Sequence, residues 1–339
     1  MGTWQRKTAG VIVALVGVVL IGSIIVNDLF SVGPAFEDMS DGFRPVMTEE
    51  TIATLEQDLQ GMQAAGEEFQ TTGVPMFSDA LGMTPEEFTA FMQEQYPDVA
   101  AGIEQLPAIT ESFGGVVGTL EAELERFASA DAIPTTTLPA TTIPWGMLVA
   151  GGLLIILGVL IAVLRGRTAP IIAAVVGGLL VVVPFALSLP TKAADADQMN
   201  ENLKPVYTQE LLTGAEQSLA VVGAMGTQMT EEMLPALGAQ LGMDEATLQA
   251  FLGDNMPAMA GVIEGMPEAM GRFTALVETF GTHLEDYLVL TEVAFVPIVW
   301  TLIVGGAIAL AGALWALFAA GRRPVALEAE PVREPAMAA

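Results

Sequence analysis

The apolar residues of this chain fall in four long blocks, with two longer polar stretches between them. Residues 9–26, 145–164, 169–189 and 297–320 are uncharged and each is about long enough to cross a bilayer as a helix. Residues 27–143 separate the first block from the second, and residues 190–296 separate the third from the fourth. Within the first polar stretch, Ile52, Leu55, Leu59, Met62, Gly66 and Phe69 recur at spacings of three and four, which predicts a helix with one apolar seam. Thr48 followed by Glu49 and Glu50 reads as its N-cap, and Pro75 is expected to end or kink it. Thr84, Pro85 and Glu87 predict a second start, with Thr84 as cap, Pro85 at the first helical position and Glu87 closing a capping box. Pro97 and Pro107 are expected to cut the next segment into short helices. From Pro107, Ile109, Phe113, Val116, Leu120, Leu124 and Phe127 predict a long returning helix. No stretch alternates with period two, so no strand is expected.

The second polar stretch repeats the first. LGMTPEEFTAFM at 81–92 has a copy, LGMDEATLQAFL, at 241–252, and the seam recurs as Leu212, Ala215, Leu219, Val222, Gly226 and Met229. At this fixed offset of 160, roughly 25 of about 85 positions are identical between 43–127 and 203–287, so the repeat is a whole structural unit. The expected fold class is therefore all-α: four transmembrane helices and two homologous extracellular helical-bundle domains produced by internal duplication. The repeat also decides how the first apolar block reads. It matches the internal block at 169–186, so it is expected to stay as a span instead of being removed as a signal peptide. The offset breaks at PTTTLPATTIP, residues 134–144, which reads as a semi-rigid extended linker and a candidate for glycosylation.

Basic residues orient the spans. Arg6 and Lys7, Arg165 and Arg167, and Arg322 and Arg323 fall on one side of a four-span arrangement. The positive-inside rule makes that side the cytoplasm. Residues 1–8, the loop 165–168 and a tail at 321–339, expected to be disordered, are then cytoplasmic, and both polar stretches lie outside a plasma membrane.

Composition sharpens this picture. Hydrophobic residues make up 52% of the chain and the mean hydropathy is +0.55, yet 40 acidic residues against 12 basic ones give a net charge of −28. The polar stretches hold most of the acids, which argues against nucleic acid as a partner. There is no cysteine, so disulfides and thiolate chemistry are excluded, and the single histidine, His283, rules out a multi-histidine zinc site. No cofactor is expected.

Candidate sites are few. His283 matches Glu123 in the first copy, and a solvated helix residue fits both. Glu37 matches Asp197, Met39 matches Met199 and Asp41 matches Glu201, just beyond the first and third spans. The spacing is not that of an EF-hand, and these acids read as a solvated neck, with Arg44 and Lys204 neutralising them locally. Methionine crowds the second copy. Met225, Met229, Met233, Met256 and Met259 form a candidate face for an apolar ligand or partner, with Met243, Met266 and Met270 nearby; core filling is the plainer reading. Gly177, Gly178, Gly305, Ala309 and Ala313 are candidates for close helix packing. Ionisable residues are missing at depth in the spans, which weighs against a pump or secondary transporter.

With LGM at 81–83 and PWG at 144–146 as its recognisable pieces, the chain resembles duplicated four-span membrane proteins of high-GC Gram-positive bacteria. That resemblance brings no activity and no functional residue. Two outer regions on four spans are also similar in shape to tetraspanins and prominin-like proteins, but the cysteines that mark tetraspanins are absent. The leading expectation is a non-enzymatic interaction or scaffold protein, with membrane lipids around it and a homo-oligomer or an envelope protein as partner. Handling of a lipid or other hydrophobic ligand is the alternative, and a sensor that needs a partner for output is the third.

Overall fold

The computed structural model describes residues 2–135 and 137–321; the sequence-based tail and Arg322 and Arg323 lie outside them. Among the described residues the chain is helical, with one isolated β-bridge, between Thr135 and Leu138, in the Pro/Thr segment. The chain divides into two compact units.

The first unit holds the four helices long and apolar enough to cross a membrane: α1 (Gly2–Val26), α7 (Thr142–Val163), α8 (Thr168–Ala186) and α15 (Phe295–Gly321). Their contacts are made where side chains are smallest, because in lipid close backbone approach replaces the hydrophobic effect as the packing force. A Cβ at Gly17 would overlap the Gly151 carbonyl of α7, and one at Gly158 would lie 2.5 Å from the Ala14 amide nitrogen of α1. Gly177 of α8 meets Gly306 and Leu310 of α15 in the same way. Gly305 packs on Val16 and Leu20 of α1, and Ala309 and Ala313 are fully buried, whereas Gly178 faces open space. Arg6 Nη2 donates to the carbonyls of Leu164 and Gly166, which takes up carbonyl groups at the C-terminal end of α7.

The second unit contains α2 (Leu29–Phe43), α3 (Glu49–Glu68), α4 (Val74–Leu81), α5 (Pro85–Gln95) and α6 (Pro97–Asp131) from the first polar stretch. From the second come α9 (Leu189–Leu203), α10 (Gln209–Gln228), α11 (Leu234–Leu241), α12 (Glu245–Asn255), α13 (Pro257–Thr282) and α14 (Leu284–Thr291). The start of each element from α9 to α13 lies 160 residues after that of its mate. So do the two left-handed C-cap glycines, Gly82 and Gly242, and the positive-φ residues Asp28 and Ser188.

The two stretches do not form a bundle each. The long helices interleave, with α3 against α13 as well as α6, and α10 against α6 as well as α13. Phe113 and Phe273 occupy matched positions and touch edge-to-face, 5.1 Å between centroids, as residues on a two-fold axis would. The joint is reciprocal at the helix starts. Glu68 Oε2, at the end of α3, accepts from the Met259 N–H in the first turn of α13. Its match Gln228, at the end of α10, accepts through Oε1 from the N–H groups of Asp98 and Val99 in the first turn of α6. Each stretch thus satisfies orphan donors of the other.

Two sequence expectations about proline change. Pro75 does not end the first helix: a π-turn at Phe69–Gly73 carries the chain into α4, and Met229–Met233 does the same ahead of Pro235. The wider turn relaxes the backbone where the proline ring would clash with an ordinary α-helical turn. Pro107 does not start a new helix, because α6 runs through it from Pro97; Leu106 and Ile109 on either side are buried on the same continuous stripe. The Thr84 capping box forms as the sequence predicts, with the Glu87 N–H donating to Thr84 Oγ1 and the Thr84 N–H to Glu87 Oε2.

Candidate functional site

The matched helices of the second unit bury different side chains, and the difference opens a groove. On the α10–α6 side, Met225 of α10 lies against Gly102 of α6 so closely that a Cβ there would be 2.5 Å from its sulfur. On the matched α3–α13 side the corresponding residues are Ala65 and Val262, and Ala65 supplies far less volume than Met225. Three further positions shrink on that side only. Gly61 stands where α10 has Val221, and Gly261 and Gly265 stand where α6 has Ala101 and Gln105. A Cβ added at Gly261 or Gly265 would meet nothing within 4 Å. The result is a half-open groove of about 550 Å³ between α3 and α13, with Ile109 and Phe113 of α6 and Leu219 and Val222 of α10 in its lining. Met62, Val262, Met266 and Met270 are half-buried along it.

One ion pair sits at this groove. Arg272 donates from Nε and Nη2 to the two oxygens of Asp58, at 2.7 and 2.8 Å, joining α13 to α3. The bidentate pair raises the guanidinium pKa above its already high ordinary value. The matched pair across the pseudo-axis is Ser112 and Ser218, so the charge, like the opening, belongs to one side.

The methionines singled out from sequence do not line this groove. Met225, Met229, Met233, Met256 and Met259 are all buried, Met256 completely, and they fill the core around the glycines and the tip helices. Their density in the second copy reflects packing: flexible thioethers fit irregular space left by Gly73 and Gly102. The groove uses Met62, together with Met266 and Met270, which the sequence reading placed beside the candidate face. The signal for it in the sequence was the change of size at matched positions, not methionine content.

The neck acids divide: Asp41 and Glu201 are solvated and neutralised locally by Arg44 and Lys204, as the sequence predicts, whereas Glu37 and Asp197 are held by backbone N–H groups. Glu37 Oε1 accepts from the Thr141 N–H ahead of α7, and Asp197 accepts from the N–H groups of Phe295 and Val296 that open α15. Both carboxylates meet the positive end of a helix dipole. The next matched pair, Asp41 and Glu201, forms ion pairs with Arg44 and Lys204 three residues on, at 2.7 and 2.6 Å. Arg44 also forms a bidentate pair with Asp131, which together with Asp41 raises its pKa.

His283 and Glu123 depart from the solvated-residue expectation. Glu123 is only 2% exposed, and its Oε1 accepts from Arg126 at 2.9 Å and from Asn202 of α9 at 2.7 Å. At the matching site His283 Nδ1 pairs with Asp286 at 3.1 Å, and its ring fills the space where a Gly42 side chain would be. Glu123–Arg126 and His283–Asp286 are thus the same i,i+3 pair with the acidic and basic residue types exchanged. Their partners, Asn202 and Gly42, are also matched, large where the other residue is small and small where it is large. A lone histidine beside a carboxylate, with no nucleophile in the contact, is a packing arrangement and not a triad. Among the described residues, no group of three acidic or histidine side chains is placed to hold a metal ion. The chain matches no protein-family model and no curated protein sequence.

Proposed function

We propose that this chain is a duplicated multi-pass protein of the plasma membrane, non-enzymatic, that binds an apolar ligand outside the cell. In this reading both termini are cytoplasmic, by the basic residues at Arg6, Lys7, Arg165 and Arg167, and the polar helical unit is extracytoplasmic. The observation that carries the binding role is the α3–α13 groove. Its volume of about 550 Å³ falls within the roughly 300–1,000 Å³ of small-molecule sites, and its walls are largely apolar with one placed ion pair. The opening is specific to this side, because Met225 lying against Gly102 closes the matched α10–α6 interface. The geometry therefore favours ligand handling over a purely structural scaffold.

Ligand linkage tests this. Protein stripped of lipid and then exposed to an extract of its native membrane should gain thermal stability, by about 2.7 kcal/mol if the ligand reaches a hundred times its Kd. A Gly261→Leu, Gly265→Leu variant should start more stable, because both leucines enter open space on a helix, and should lose that response. Equal gains in wild type and variant would overturn the proposal, since spans and their annular lipid are common to both.

A further inference from the structure

We propose that Met266 is an oxidation site, taking one oxygen atom from a peroxide, and that its sulfoxide loosens the contact between α13 and α10. The chain has no cysteine, so its 18 methionines are its only sulfur centres. Oxidation of a methionine disturbs the fold when two conditions meet: the oxidant reaches the sulfur, and the sulfur fills a space that cannot take a further atom. Met225 meets the second condition alone. Its sulfur lies 2.5 Å from where a Cβ of Gly102 would be, but the residue is buried. Met270 meets the first alone. It is half-buried on the groove, and its methyl lies at an ordinary 3.8 Å from the Cβ position of Gly223. Met266 meets both. It is half-buried on the same open groove, and a Cβ at the buried Gly226 of α10 would overlap its sulfur.

The chemistry balances with peroxide as the only co-reactant. A sulfur lone pair attacks one peroxide oxygen, and the S–O bond forms as the O–O bond breaks. The proton on the transferred oxygen leaves with the departing hydroxide as water. Sulfur is oxidised, peroxide is reduced, and a flexible apolar thioether becomes a polar sulfoxide. The new oxygen needs a hydrogen-bond donor, and the amides of α10 around Gly226 are already engaged inside the helix. A polar group without a partner in such a contact is costly, and drawing it out to water parts α13 from α10. The first copy has the same wedge without sulfur. There Leu106 is buried, with Cδ2 2.9 Å from the Cβ position of Gly66. Oxidation therefore acts on one of two matched contacts, and neither step requires a ligand in the groove.

The test treats the full chain, in phosphatidylcholine nanodiscs, with hydrogen peroxide and follows each methionine by peptide mass spectrometry. Met266 should gain one oxygen faster than the buried Met225, Met229, Met233, Met256 and Met259. Amide exchange from Leu219 to Gly226 should then quicken about tenfold, equivalent to about 1.4 kcal/mol. A Met266→Leu variant, which takes the side chain of the matched position, should keep slow exchange after the same treatment. A Met62→Leu, Met270→Leu variant leaves Met266 as the one sulfur lining the groove and should loosen as wild type does. Met266 reacting no faster than the buried five would overturn the site. Exchange that stays slow once Met266 carries its oxygen would overturn the effect on α10. So would loosening that persists in the Met266→Leu variant or vanishes in the Met62→Leu, Met270→Leu variant.

Discussion

At the scale of residues, two tyrosine hydroxyls of the second unit help hold it together. Tyr207 donates its hydroxyl to the Phe280 carbonyl and Tyr287 donates to that of Asn200, and the two rings stack 4.2 Å apart. Burial, then the charge of Glu201, pushes the Tyr287 hydroxyl up to about 12 from an ordinary value near 10. Folding therefore favours its neutral form. The resulting stability is whole below pH 10, where the unfolded chain is also protonated, and is lost as pH rises from 10 to about 12. Tyr287→Phe should cost about 1 kcal/mol at neutral pH through the lost hydrogen bond and should flatten the alkaline decline. An unchanged alkaline slope in chemical unfolding would contradict this. None of it was legible in the sequence, because the partners are distant: Asn202 reaches Glu123 across 79 positions, and nothing local marks Glu123 as buried. The capping pairs were legible, since Thr84 and Glu87 lie three residues apart and the chemistry is local.

At the scale of elements, helix existence followed from seam and cap, while helix partners did not. Ile52, Leu55 and Leu59 announce a buried face, yet the seam is silent about which helix covers it. Here half of the cover comes from the other polar stretch, so the sequence-based pair of separate bundles gives way to one interleaved set. Prolines misled for a related reason: in isolation Pro107 breaks a helix, but buried apolar contacts on both sides hold α6 through it. The reciprocal caps make the interleaving testable. Gln228→Ala should lower stability by about 0.5–2 kcal/mol, the usual worth of a helix cap. Amide exchange at Asp98 and Val99 should accelerate, although these lie in the other polar stretch. Acceleration confined to α10 would contradict the reciprocal arrangement. The groove was half legible. The repeat supplied the register in which Gly61 faces Val221, Gly265 faces Gln105 and Ala65 faces Met225. Only the packing shows that all three losses fall on one interface.

At the scale of the whole chain, the repeat at an offset of 160 frames both what the two polar stretches share and what they do not. Two copies give one polar unit with two matched interfaces, one closed by Met225 on Gly102 and one left open. The proposed topology has a clean assay because the chain has no cysteine to give background. An impermeant maleimide should label Gln93→Cys and Gly253→Cys on intact cells, and should reach Gly166→Cys only after permeabilisation. Labelling of Gly166→Cys on intact cells would reverse the orientation and place the groove inside. The binding claim is tested most directly by ejecting the intact protein from native membrane vesicles into a mass spectrometer. Wild type should leave carrying one non-covalent small-molecule adduct, and the Gly261→Leu, Gly265→Leu variant should leave without it. Wild type that emerges bare, or a variant that keeps the same adduct, would contradict the account.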